Sequence, residues 1–177
     1  DIFPGWEGYL PKLERNWRTL IGPTDIVVLA GDTSWAMKLE DTGADFAFLQ
    51  SLPGQKWLLK GNHDYWWTTA RKMERYLAEH GFDTLHILHN NCVRLGQTAL
   101  CGTRGWPFDE LQAQSAKIMA REAGRLQMSL EAAGDCAEKI AFLHYPPVFG
   151  NTGAADLLAL LHAHGVRRCY YGHLHGK

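Results

Sequence analysis

Ile26-Val27-Val28-Leu29-Ala30-Gly31-Asp32 is an apolar, β-branched run closed by a glycine and followed at once by a carboxylate. Such a run reads as a buried strand, and the glycine lets the chain turn sharply and bring the next side chain inward. The pattern recurs along the chain. Lys56-Trp57-Leu58-Leu59-Lys60 ends in Gly61-Asn62-His63-Asp64, Ile140 to His144 is closed by Tyr145-Pro146-Pro147, and Arg168 to Tyr171 runs into Gly172-His173-Leu174-His175. Ligand sites of open α/β sheets gather at the carboxyl ends of strands, so these clusters, distant in sequence, can meet in one place.

Between the strands lie helical patterns. Asp41 to Leu52 stops at Pro53-Gly54, Tyr65 to His80 at Gly81, and Ala154 to His164 at Gly165; Asp109 to Ala133 is the longest and is amphipathic. His86 to His89, Cys92 to Leu95 and Thr98 to Gly102 are short strand-like pieces whose joins, Asn90-Asn91 and Gly96-Gln97, read as hairpin turns. The alternation argues for an α/β fold, and the hairpins for a mixed sheet.

The 177 residues are enough for one domain with a proper core, and no repeat or linker divides them. With 46% hydrophobic and 21% charged residues and a formal net charge of −1, nothing global favours wrapping nucleic acid or docking on an anionic membrane. No apolar run approaches the roughly 20 residues of a membrane span. Cys92, Cys101, Cys136 and Cys169 form no C-x-x-C pair, which fits a reducing cytoplasm and four small buried hydrophobes.

The strand-end residues suit a pair of metal ions. Asp32 offers an anionic oxygen able to bridge two cations, Asn62 a neutral oxygen, and His144, His173 and His175 imidazole nitrogens. This mixed set fits manganese, iron, zinc, cobalt or nickel better than magnesium or calcium. Two such ions about 3.5–4 Å apart clamp a phosphate and acidify water. His63, beside Asn62, can serve as an acid for the leaving alkoxide, with Asp64 behind it to hold its tautomer. Arg104, on the loop Gly102-Thr103-Arg104-Gly105-Trp106, is suited to a phosphate oxygen, and a surface role fits it about equally well.

Each residue taken singly has a plainer reading. Asp32 can start a turn, Asp64 can cap the helix from Tyr65, and His144 can be a satisfied core histidine. His173 and His175 would point apart on a strand and need a loop to converge. Their joint occurrence after buried strands is what carries the argument. His80, His86, His89, His162 and His164 lack that context and read as surface or helix-end residues.

Taken in order, Gly31-Asp32, Gly61-Asn62-His63-Asp64, His144 and Gly172-His173-Leu174-His175 resemble the motifs of the calcineurin-like metallophosphoesterase superfamily, and the finer wording resembles a bacterial branch of small phosphohydrolases. The resemblance spans Ile26 to Gly176. It implies two facing mixed β-sheets flanked by helices, and hydrolysis of phosphate mono- or diesters with two divalent ions, manganese foremost. It further implies that Asp32 bridges the ions, that Asn62, His144 and His173 serve one of them and His175 the other, and that His63 protonates the leaving group. Where one related branch has a tyrosine ligand, this chain has Trp35, which cannot ligate.

The superfamily's opening D-x-H motif has no counterpart in Asp1-Ile2-Phe3. The expectation is therefore a domain incomplete at both ends, lacking the first and last strands, whose remaining ligands lie before Asp1. The competing expectation is a non-catalytic binding module on the same fold. Retention of His63 argues against it, because a scaffold has no need of an acid. A small phosphate ester is the expected partner, ahead of nucleic acid.

Overall fold

The computed structural model describes residues 7–106, 116–150 and 152–175. Among them the strands form two principal sheets, and the segments that end in polar clusters are distributed between the two. In the first sheet β1 (Ile26–Leu29), β2 (Gln55–Leu58) and β3 (Leu85–Ile87) lie in that order and run parallel throughout. In the second, β4 (Asn91–Leu95), β5 (Thr98–Thr103), β6 (Glu138–Leu143) and β9 (Arg168–Tyr171) are adjacent, with β4–β5 antiparallel and the other pairs parallel. A small hairpin, β7 (Val148–Phe149) and β8 (Thr152–Gly153), follows Pro146-Pro147 and was not foreseen.

Helices cover the outer faces. α2 (Gly43–Ser51), preceded by a single 3-10 turn over Leu39–Thr42, and α3 (Ala70–Glu79) pack Phe46, Leu49, Met73 and Tyr76 against Leu58, Leu85 and Ile87 of the first sheet. α1 (Tyr9–Leu20), unread in the sequence, joins that core through Trp17, whose indole N–H donates to Pro53 O at 2.9 Å. α4 (Ala116–Ala132) and α5 (Ala155–Ala163) cover the second sheet with Leu126, Leu130, Leu157 and Leu161 over Ala99, Cys101, Ala141 and Leu143. The first part of the helix expected from Asp109 lies outside the described residues. Between the sheets Gly102 is a point of close approach: a Cβ there would sit 2.5 Å from Leu88 Cγ and 2.9 Å from Leu59 Cδ1.

Two local expectations are corrected. Gly96-Gln97 closes a true hairpin, with Leu95 opposite Thr98, but Asn90-Asn91 does not. It carries the chain from β3 in one sheet to β4 in the other: Asn90 turns at φ 60°, and Asn91 spans the corner by accepting from His89 N and donating to Ile87 O. The helix expected from Tyr65 begins only at Ala70. Trp66 is buried, with its indole N–H directed at Ser34 O and Asp64 Oδ1, and this anchor holds Tyr65–Trp67 in tight turns. The β-branched pair Thr68-Thr69 then delays helix entry, with Thr69 still extended at ψ 144°.

Candidate metal centre

Asp32 and Asn62 leave the ends of β1 and β2, and His144 and His173 the ends of β6 and β9, so each sheet contributes two of the four. They converge. Ligand atoms of Asp32, His144 and His173 all lie within 4.8 Å of one another. Asn62 Oδ1 stands 2.6 Å from His144 Nε2 and 3.0 Å from His173 Nδ1, while Asp32 Oδ2 is 3.7 Å from His144 Nε2. His175 lies outside that group and acts on His173 electrostatically.

Glycines make the convergence possible. At Gly31, φ 99°, a Cβ would meet His144 Nδ1 at 2.5 Å, and at Gly61 it would meet Asp32 Oδ1 at 2.1 Å. The backbone is strained at two of the site residues themselves: Asp32 has φ 55° and His173 φ 68°. Left-handed non-glycine residues are uncommon and persist where the surroundings hold them. For Asp32 the holder is Asp64. Its carboxylate is 2% exposed and accepts the backbone N–H groups of Gly61 (2.6 Å), Asp32 (2.9 Å), Thr33 (2.9 Å) and Ser34 (3.2 Å), besides the Trp66 indole. Burial pushes the Asp64 carboxyl above its ordinary range, while the N–H groups of Gly61, Ser34 and Asp32 pull the other way.

The geometry fits a cation on a specific observation. His144 Nδ1 is 2.8 Å from Ala30 O, and a carbonyl can only accept, so Nδ1 carries the proton. Burial holds the His144 pKa below its ordinary value, so the ring is neutral and Nε2 presents a lone pair. That lone pair faces Asn62 Oδ1 and Asp32 Oδ2, two further acceptors. Acceptors converging without a donor between them are stabilised by a metal ion, and a backbone-anchored neutral imidazole is its usual nitrogen ligand. His173, whose pKa is lowered chiefly by burial and next by His144, completes the set.

His63 is placed differently from the expectation. Asp64 does not stand behind it and does not cap the Tyr65 segment as a helix. The ring partner of His63 is Tyr65, whose hydroxyl is 3.0 Å from Nδ1, and its face stacks on Trp35 with centroids 4.4 Å apart and planes 14° from parallel. Neither aromatic was singled out as a site residue in the sequence, although both flank motif residues. Arg104 sits at the centre's edge. Its carbonyl accepts the N–H groups of His144 and Tyr145, both at 3.0 Å, and its guanidinium reaches Tyr145 Oη at 3.3 Å. His89, expected at the surface, is instead largely enclosed, with its ring against Trp67 at 5.3 Å.

Two sheets between helices, with an oxygen-and-imidazole ligand set at their strand ends, define a metal-binding α/β sandwich of the phosphoesterase type. The chain belongs to the calcineurin-like phosphoesterase family, whose model matches residues 1–177. That family is metal-dependent and acts on phosphoesters. A solved structure described as TT1561 of Thermus thermophilus is similar with a TM-score of 0.59 and 16% identity, covering 86% of this chain and 71% of that one. A second crystal structure is similar with a TM-score of 0.61 and 13% identity, covering 97% of this chain and 80% of that one. At these identities the likeness concerns the fold. No curated protein matches the chain. Among the described residues no helix is long and apolar enough to cross a membrane.

Proposed function

We propose that the protein hydrolyses phosphate mono- or diesters, with Asp32, Asn62, His144 and His173 holding one divalent ion and Asp32 and His175 serving a second. The observation that carries this reading is the neutral His144 Nε2 facing two oxygen acceptors, Asn62 Oδ1 at 2.6 Å and Asp32 Oδ2 at 3.7 Å. Bound ions supply Lewis-acid polarisation of the phosphoryl oxygens and acidify water, and manganese, iron, zinc, nickel and cobalt all suit the set.

The chain's own residues do the rest. His63 donates the proton to the leaving oxygen. Tyr65 fixes its ring through Nδ1 and Trp35 limits its rotation, leaving Nε2 to face the ester. Asn62 orients the phosphoryl group together with Arg104, whose guanidinium offers paired donors to its oxygens. Asp64 acts through the backbone, fixing the turns on which Asp32 and Asn62 ride.

Hydrolysis of a chromogenic phosphomonoester and diester with added Mn²⁺ tests the reading. Turnover is expected with at least one; none with either, at verified metal occupancy, overturns it in favour of a binding module. His63→Ala should lose turnover and keep metal, whereas Asp32→Ala should lose both. Full rate of His63→Ala on esters with poor leaving groups would remove the acid role.

A further inference from the structure

Next to the metal centre, on the Arg104 side, the structure gathers cationic side chains around polar atoms that have no partner. Among the described residues the buried side-chain atoms left unpaired are Thr33 Oγ1, His89 Nδ1, Arg104 Nε, Trp106 Nε1 and Glu122 Oε2. All but the first belong to one neighbourhood. Arg104 Cζ lies 5.6 Å from the Trp106 ring and 5.3 Å from the Tyr145 ring, and Tyr145 packs on His173 at 4.5 Å, which ties the patch to the metal centre. Glu122, 0% exposed, holds Arg125 at 2.5 Å.

Charge in this neighbourhood is unbalanced. His89 is pushed down to about 4, first by burial and then by the positive charges of Lys60, Arg125 and Arg104, so all three cations bear on one enclosed ring. Among the described residues Glu122 is the carboxylate beside them, and it also pairs with Arg121 at 3.8 Å. Asp64 also acts on Lys60, but its oxygens are committed to N–H donors. Unpaired buried donors are costly, and among the described residues Lys60, Arg104 and Arg125 outnumber the carboxylate beside them in a partly dry setting, so the patch is stabilised by an anion that accepts from several of them.

Resting on the phosphoesterase reading, we infer that Lys60, Arg104, Arg125 and the Trp106 N–H form a second anion site, which takes a phosphate carried by the substrate apart from the scissile ester. The substrates are thus phosphoesters bearing a second phosphoryl group. Arg104 stands between the two positions: its backbone carbonyl braces His144, and its guanidinium serves the scissile phosphoryl group through its outer nitrogens while the unpaired Nε is left to the patch. His89, neutral, contributes a hydrogen bond and no charge. The aromatic rings of Trp106 and Tyr145, 5.6 and 5.3 Å from Arg104 Cζ, leave the planar guanidinium only partly hydrated, which strengthens its pairing with an oxyanion.

The probe is inorganic sulfate, added to the zinc-loaded protein while the Trp106 indole N–H is followed by ¹⁵N-resolved NMR. A saturable downfield shift is expected. Arg104→Gln, Lys60→Gln and Arg125→Gln should each weaken it by about tenfold or more, whereas Arg75→Gln, which removes an exposed charge on α3, should not. Should Arg104→Gln fail to fold, the other two carry the same expectation. No saturable shift, or equal weakening by Arg75→Gln, overturns the site. In parallel, kcat/KM for an ester with a second phosphate should exceed that for the matched single-phosphate ester, and Arg125→Gln should shrink the ratio by about tenfold. Equal ratios in parent and variant overturn the inference while leaving hydrolysis intact. A retained sulfate response with no hydrolysis of any ester instead overturns the phosphoesterase reading alone.

Discussion

Asp64 illustrates how a charged residue beside a candidate metal site can act without being one of its ligands. Its two oxygens accept four backbone N–H groups from two loops and one indole N–H. Asp64→Asn keeps the shape but turns one acceptor into a donor aimed at N–H groups. The expected cost is about 2–4 kcal/mol, from lost charge-assisted bonds and a buried unsatisfied pair, measured by urea unfolding. Metal affinity should fall as well, because Asp32 at φ 55° depends on that support. Tyr65→Phe separates positioning from ligation: turnover of esters with poor leaving groups should drop about tenfold, with activated leaving groups and metal affinity nearly unaffected. A uniform drop across leaving groups would assign Tyr65 a structural role instead. Asp32, Asn62, His144 and His173, which the fold brings together, could be picked out as candidates in the sequence because each follows an apolar run. The sequence could not reveal Asp64's partners or the Trp35–His63 stack, since both depend on how neighbouring loops cross rather than on residue type.

At the scale of elements, strand cores and their glycine-marked ends were legible, while corners and helix starts were not. Asn90-Asn91 has the composition of a hairpin, but the flanking strands belong to different sheets, a choice that pairing over long range decides. Tyr65–Thr69 has helical periodicity, but burial of Trp66 overrides it. The central strand β2 carries a charge that alternation alone does not explain. Lys56 is 0% exposed, and its ammonium donates to Leu52 O at 2.7 Å and Gly54 O at 2.8 Å, tying β2 to the end of α2. Burial lowers its pKa from the ordinary 10.5. Below the lowered value both folded and unfolded chains bind the proton and stability is flat with respect to this group. Between it and 10.5 the unfolded chain binds more, so this group's contribution rises with pH. Lys56→Met should abolish that rise, seen as the difference between parent and variant urea midpoints at about pH 8 and about pH 10. At the lower pH the variant leaves two carbonyls without their donor, and it should lose about 1–3 kcal/mol.

Across the whole molecule the candidate site is a seam. Asp32 and Asn62 come from the three-stranded sheet, His144 and His173 from the four-stranded one, and at Gly102 the second sheet lies tight against Leu88 and Leu59 of the first layer. A metal ion bound by all four therefore links two layers otherwise joined by packing and by the His144 Nδ1–Ala30 O hydrogen bond, and its binding free energy adds to the stability of the fold. With Mn²⁺ at about a hundredfold excess over Kd the added stability is about 2.7 kcal/mol. For a chain of this length that raises the melting midpoint by about 5–11 °C. EDTA should remove the increment, and Asp32→Ala should never show it. Gly102→Ala tests the seam from outside the site. Its Cβ, 2.5 Å from Leu88 Cγ, must push the sheets apart, costing about 1–3 kcal/mol without metal. The metal-dependent increment should shrink as well, since spreading the sheets moves His144 and His173 away from Asp32 and Asn62. Gly124→Ala on α4, where a Cβ meets nothing within 4 Å, is the matched control and should be neutral or slightly stabilising. An undiminished increment in Gly102→Ala would mean that the ligands of one sheet hold the ion by themselves.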